Sequence, residues 1–219
     1  MRRGTFNIPV YDAQELTREM NLFIEWFCPQ LLGLQGSPES RRCYDDLRLA
    51  LCQRAIAQPQ VVVHRDFHSR NLMVLKSDEL AVIDFQDAIF GPVTYDLVSL
   101  LKDCYVRWPR QRVRDWVLDQ HEAMLADGIA LPSAEAFLRD FHWMGLQRHL
   151  KVLGIFARLY LRDGKAAYLS DLPRVMAYVR EVLGAYPDEP VFMAFAQWFE
   201  SAVMPAARRQ AWFTDEAEP

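Results

Sequence analysis

Residues 61–75 read VVVHRDFHSRNLMVL, and residues 81–97 read AVIDFQDAIFGPVTYDL. Two short runs rich in branched residues enclose a loop that carries His64, Asp66, His68 and Asn71, and the next run ends on Asp84 with Asp87 close behind. Polar residues at strand ends ordinarily make turns. Here Asp66 and Asn71 lie on a loop that leaves one strand and enters another, so both side chains can face one cavity, with Leu72 and Met73 anchoring the exit. Asp84, ending the following strand, would face them. A carboxylate near a substrate hydroxyl can orient it and accept its proton, and an amide oxygen with a second carboxylate offers a hard cation the oxygen ligands it prefers. The pattern HRDxxxxN followed by a metal-holding Asp belongs to phosphoryl transfer, and His64-Arg65-Asp66, Asn71 and Asp84 fit it.

Outward from this loop the chain reads as helices. Asp12 with Glu15 suggests a capping box, and Leu16, Met20, Phe23, Ile24 and Phe27 follow at helical spacing, so a first helix is expected from about Ala13 to Leu32. Gly33 to Gly36 breaks it, and Ser37-Pro38 starts a second helix that runs through about Ala57. Val61 to Val63, Leu72 to Leu75 and Leu80 to Ile83 are the only stretches read as strands. Helical spacing returns at Thr94, with further helices near 110–127, 134–161, 172–185 and 190–203. The expected fold is mainly α with one small β-ribbon. Residues 1–213 form one lobe and 214–219 an acidic tail.

Composition bounds the function. A chain of 219 residues with 51% hydrophobic content can bury a sizeable core. A net charge of -4, with Arg mixed evenly among Asp and Glu, supplies no basic stripe for nucleic acid. No apolar run approaches a membrane span, and the start of the chain does not read as a signal peptide. Cys28, Cys43, Cys52 and Cys104 lack CxxC spacing and read as reduced thiols of a cytoplasmic protein.

HRDFHSRN followed by IDFQDAIFGPVTYDLVSLL resembles the aminoglycoside phosphotransferase-like kinases. His64, Asp66, His68 and Asn71 match the family's loop, Asp84 and Asp87 its metal strand, and Gly91, Pro92 and Asp96 the turn and helix beyond. Within that family, DFQDAIFGPVTYDLVSLLKDCY and LQRHLKVLGIFARLY most resemble anomeric kinases of N-acetylmuramate and N-acetylglucosamine, which serve cell-wall recycling. The likeness covers most of residues 5–185. It implies ATP and magnesium as cofactors and a small sugar as acceptor. In that frame Asp66 aligns the hydroxyl, and His64 braces the catalytic loop through backbone hydrogen bonds. Asn71 and Asp84 hold magnesium, while His68 and Asp87 face the nucleotide. Asp96 is expected to accept hydrogen bonds from the loop backbone. Arg148, His149 and Lys151 are candidate sugar contacts, although polar residues beside apolar ones on a helix usually form a solvated face.

Two departures matter. Gln86 stands where protein kinases place the Gly of DFG, and too few residues separate Asp84 from the next helix to build a peptide-docking platform. Phosphate cradling in these kinases also uses a β-rich N-terminal lobe with a strand Lys. Lys76, Lys102, Lys151 and Lys165 all follow the loop, and the 63 residues before His64 contain no Gly-rich hairpin. The expected architecture is therefore a kinase-like C-terminal lobe whose N-terminal lobe is missing or supplied by another chain. An aminoglycoside- or choline-type hydroxyl kinase, or an inactive binding module, are the alternatives.

Overall fold

A computed structural model of the chain describes residues 8–215. The basic residues at the start and residues 216–219 of the acidic tail lie outside this range; Thr214 and Asp215 are exposed.

The helices form where caps and apolar spacing coincide. Helix α1, Ala13–Leu22, begins at Asp12, whose side chain accepts the Glu15 N–H at 2.9 Å. It continues as a wider π-helical segment, Phe23–Leu31, containing Pro29. Proline has no N–H to give the preceding turn; the Gln30 amide donates to the Glu25 carbonyl at 2.7 Å. Helix α2, Pro38–Ala57, starts on Ser37 with proline in the first turn. Helices α3 (Tyr95–Leu101) and α4 (Arg110–Ala126) follow the β-elements. The 30-residue α5, Ala134–Asp163, is capped by Ser133 and ends on left-handed Gly164. Helices α6 (Leu172–Ala185), α7 (Pro190–Trp198) and α8 (Met204–Arg208) complete the body.

Helix α5 is the axis of the fold, packing against α1, α2, α3, α4 and α6. Phe137, Phe141, Leu146, Leu150, Leu153 and Ala157 are buried along its length. Fully burying each large side chain contributes on the order of 1.5–3 kcal/mol. At Gly154 it approaches the end of α1 so closely that a Cβ would overlap the backbone of Leu22. This crossing brings the C-terminal half of α1 and the later turns of α5 together beneath the loop at 64–71.

Strand β1 (Gln60–Val63) pairs antiparallel with β4 (Ile89–Pro92), and β2 (Leu72–Val74) pairs antiparallel with β3 (Leu80–Val82). There are thus two two-stranded pairings instead of one ribbon, and β4 lies where the sequence suggests a Gly-Pro turn. Gly91 is required by close approach: a Cβ there would meet Val63 Cγ2 at 3.1 Å and Tyr11 Cβ at 3.2 Å. Tyr11 is close because the segment before α1 runs parallel beside β4, its N–H donating to the Phe90 carbonyl at 2.8 Å. All four cysteines are free, and no helix among the described residues is long and apolar enough to cross a membrane.

Candidate active site

Asp96, in the first turn of α3, fixes the loop. Its Oδ2 accepts the His64 N–H at 2.6 Å and its Oδ1 accepts the Arg65 N–H at 3.0 Å. Burial raises the Asp96 pKa, and the two backbone donors offset part of that rise. From the other side Arg148 Nη1 donates to the Arg65 carbonyl at 3.0 Å. The Arg65 peptide is thereby clamped at both ends. It takes φ of 74°, a left-handed conformation that costs a non-glycine residue about 1–2 kcal/mol. Asp84 takes a similar φ of 68° at the end of β3. Of the three non-glycine residues with positive φ among the described residues, these two lie in the loops that carry the candidate chemistry, and Asp78 lies in the β2–β3 turn.

Past this corner, the Asp66 carbonyl accepts the His68 N–H at 3.0 Å and Asn71 Nδ2 at 2.9 Å. That bond fixes the Asn71 amide with its oxygen left as an acceptor. Ile83 joins the loop to β3: its N–H donates to the Asn71 carbonyl at 3.1 Å, and its carbonyl lies 3.0 Å from His64 Nε2. Asp103 accepts the Ser69 N–H at 2.9 Å. The His68 ring lies edge-on to Tyr105, and burial, then the charge of Arg148, lower its pKa. Asp84 is exposed, with one oxygen accepting from Gln86 at 2.6 Å.

A cavity of about 230 Å³ opens beside the loop. Asp66, Asp87 and Glu19 bring carboxylates to its wall, and Arg18, Arg65, Lys151 and Arg158 bring cations. Leu22 and Ile155 are its apolar lining. A larger cleft of about 670 Å³, lined in part by Lys102, Arg107, His142 and Glu181, contains none of the loop residues.

Glu19 organises the charges below the loop. It accepts from Arg65 at 2.5 Å, pairs with Lys151 at 2.8 Å, and accepts the Tyr11 hydroxyl. Burial alone would raise its pKa, but the Lys151 ammonium, hydrogen bonds from Lys151 and Tyr11, and the Arg65 charge together hold it below the usual glutamate range. Sequence reasoning missed this residue. Its signal was a carboxylate on the apolar stripe of α1, between Leu16 and Met20.

The expectation of a solvated face at Arg148, His149 and Lys151 is corrected: all three are buried. Arg148 braces the loop and also donates to the Tyr95 hydroxyl at 3.1 Å. His149 has no exposed surface, stacks on Tyr178 and bonds the Lys102 carbonyl at 3.0 Å. Only Lys151 of the three lines the cavity of Asp66. Of the remaining assignments, Asp66 and Asp87 line that cavity, whereas His64, His68, Asn71 and Asp84 do not.

For a divalent cation the expected donors would be the Asn71 amide oxygen, left free by the Nδ2 bond to Asp66, and the exposed Asp84 carboxylate, both hard oxygens. Among the described residues no group of three or more His, Cys, Asp and Glu gathers as a metal cluster. An amide-plus-carboxylate pair leaves further positions to substrate oxygens and water, which is how magnesium is usually held.

The phosphotransferase enzyme family matches the chain over residues 16–137. The chain is also similar to proteins named N-acetylmuramate/N-acetylglucosamine kinase. It is 46% identical over 182 residues to the one from Neisseria meningitidis serogroup B, covering 83% of this chain and 54% of that one. It is likewise 46% identical over 182 residues to that of Pseudomonas putida, covering 83% and 53%. With the Caulobacter vibrioides protein it shares 29% identity over 214 residues, covering 94% and 55%. The chain therefore spans about half the length of these relatives.

Proposed function

The chain belongs to the phosphotransferase enzyme family, and from that membership we propose that it is the acceptor-holding catalytic lobe of an ATP-dependent sugar kinase. The reaction would transfer the γ-phosphoryl group of ATP to the anomeric hydroxyl of N-acetylmuramate or N-acetylglucosamine. The carrying observation is the loop at 64–71, clamped by Asp96 and Arg148, which carries Asp66 and Asn71 and is tied through the Ile83 N–H to the segment that ends on Asp84. The names of the relatives support the choice of acceptor.

Asp66 would hold the acceptor hydroxyl in line and accept its proton as the new O–P bond forms. Asn71 and Asp84 would hold magnesium, which when bound neutralises charge on the phosphates. His64 keeps the loop against β3 through the Ile83 carbonyl. His68 and Asp87 would face the nucleotide. Lys151, committed to Glu19, would shape the cavity floor beneath the acceptor.

A second component of the proposal is a β-rich lobe, from flanking sequence or another chain, that covers the nucleotide. It is supported by the apolar side chains that β2, β3 and the following loop leave exposed, among them Met73, Val74, Leu80 and Phe85. Half the length of the relatives lies outside the match. An inactive binding module is the reading favoured for residues 1–219 alone, because no strand Lys or Gly-rich hairpin precedes His64.

The test is a phosphorylation screen with magnesium ATP and both sugars, run on this chain and on a protein that also carries its flanking coding sequence. Sugar 1-phosphate from the longer protein supports the proposal. A 6-phosphate product, or turnover only on an aminoglycoside or choline, overturns it.

A further inference from the structure

The cations around the Asp66 cavity are not equivalent. Arg65 and Lys151 are committed to Glu19, and Arg18 is bonded to both oxygens of Glu15. Arg158, on the last turns of α5, makes no ion pair or hydrogen bond among the described residues. Its Nε is buried without an acceptor. Its charge reaches Asp163, but that carboxylate is held through both oxygens by Arg162. A buried guanidinium nitrogen with no acceptor is costly unless something fills the site.

The neighbourhood says what that something is. Leu22 and Ile155 give the cavity an apolar wall, Asp66 and Asp87 bring carboxylates that can take hydroxyls, and Arg158 brings a planar fork of donors. An occupant that satisfies all three has a hydroxyl, apolar surface and an anionic oxyacid group. Guanidinium pairs best with carboxylate or phosphate, through two parallel N–H···O bonds. Arg158 lines this cavity together with Asp66, the residue assigned to the acceptor hydroxyl; of the residues assigned to magnesium and nucleotide, Asp87 lines it and Asn71, Asp84 and His68 do not. The anion facing Arg158 is therefore assigned to the acceptor.

We propose that Arg158 is a specificity-determining residue that receives the carboxylate of an acidic amino sugar. It distinguishes N-acetylmuramate, which carries a lactyl carboxylate, from N-acetylglucosamine, which does not. This rests on the amino-sugar reading above and adds to it which of the two sugars the cavity prefers and through which residue. Charge-assisted pairing of this kind sets the expected preference at about tenfold or more.

The experiment is calorimetric or NMR titration of this chain with each sugar, and with magnesium ATP, for the wild type and Arg158→Gln. Circular dichroism and a thermal melt check that the variant is folded. The wild type should bind N-acetylmuramate about tenfold more tightly than N-acetylglucosamine. Arg158→Gln should abolish that difference and leave N-acetylglucosamine within about twofold. A preference that survives in the variant, an equal loss for both sugars, or a loss confined to magnesium ATP would each overturn the assignment while leaving the amino-sugar reading standing. A wild type that binds neither sugar defeats that reading and this inference together.

Discussion

Asp96 holds the loop at Arg65: one carboxylate oxygen takes the Arg65 N–H at 3.0 Å, at a point where the backbone is left-handed. The other oxygen takes the neighbouring N–H of His64. Replacing Asp96 by Ala leaves two half-buried donors without their acceptor and releases the strained corner. Hydrogen bonds to a charged acceptor contribute about 1.5–3 kcal/mol each, so Asp96→Ala should cost about 3 kcal/mol. Denaturant unfolding measures the loss, and the His64 and Arg65 amides should exchange faster with solvent. Unchanged exchange at both amides would show that the clamp is not what orders the loop.

Asp66→Asn tests chemistry apart from packing. The substitution is nearly isosteric and keeps a hydrogen-bonding oxygen, but removes the proton acceptor. In a kinase-active protein containing this chain, turnover should fall about 10²–10⁴-fold. Stability should change by no more than about 0.5 kcal/mol. A variant with near-wild-type turnover would move the general base elsewhere.

Gly154 and Gly145 lie on the same helix and predict opposite outcomes. At Gly154 a methyl group would overlap the Leu22 backbone, so α1 has to move off α5; Gly154→Ala should cost about 3 kcal/mol or more. At Gly145 the nearest atom is Val98 Cγ1 at 3.8 Å, an ordinary contact. There alanine should be neutral or stabilising by about 0.5–1 kcal/mol through helix propensity. Equal effects at the two sites would contradict the crossing.

How much of this was legible follows from the distance over which each residue's partner lies. Caps such as Asp12 and Ser37 act within one turn, so the helix starts could be read along the chain. The loop at 64–71 was legible for the same reason, because most of its internal bonds join residues within five positions. Strand β4 was not, since Gly91 and Pro92 carry turn chemistry locally and become a strand only because Val63 and Tyr11 press on it. The burial of Arg148 and Lys151 was equally hidden. Their partners, the Arg65 carbonyl for Arg148 and the Glu19 carboxylate for Lys151, are far away in sequence, and a helix with interspersed charges reads as a wet surface.

The Glu19 network predicts acid sensitivity with a definite sign. The folded-state pKa of Glu19 lies below the ordinary glutamate value of 4.5, so its stabilisation is present above that value and is lost as pH falls through the folded pKa. Melting temperature should therefore drop on acidification below about pH 4.5. Glu19→Gln should flatten that drop, while costing about 3–5 kcal/mol at neutral pH because Lys151 stays buried without its counter-charge. A variant as acid-sensitive as the wild type would assign the drop to other carboxylates.

The last prediction concerns residues 1–219 by themselves. Val62, Met73, Val74, Leu80 and Phe85 are exposed on the β-elements, and the described residues before His64 are two helices, a π-helical continuation and a strand. Of the four lysines, Lys151 is committed to Glu19 and Lys102 to Glu181. Moving either ammonium to a phosphate would break a close ion pair in a largely desolvated site. With one wall of a nucleotide cleft, charge developing on the γ-phosphate would meet only the cation at Asn71 and Asp84, and electrostatic stabilisation of that charge is the main source of rate in phosphoryl transfer. This chain should fold cooperatively, bind magnesium ATP weakly or not at all, and show no measurable turnover. Adding the complementary lobe should restore both and bury the ribbon face. Micromolar nucleotide binding with steady turnover by the purified chain would mean that its first 60 or so residues hold phosphate in a way this geometry does not provide.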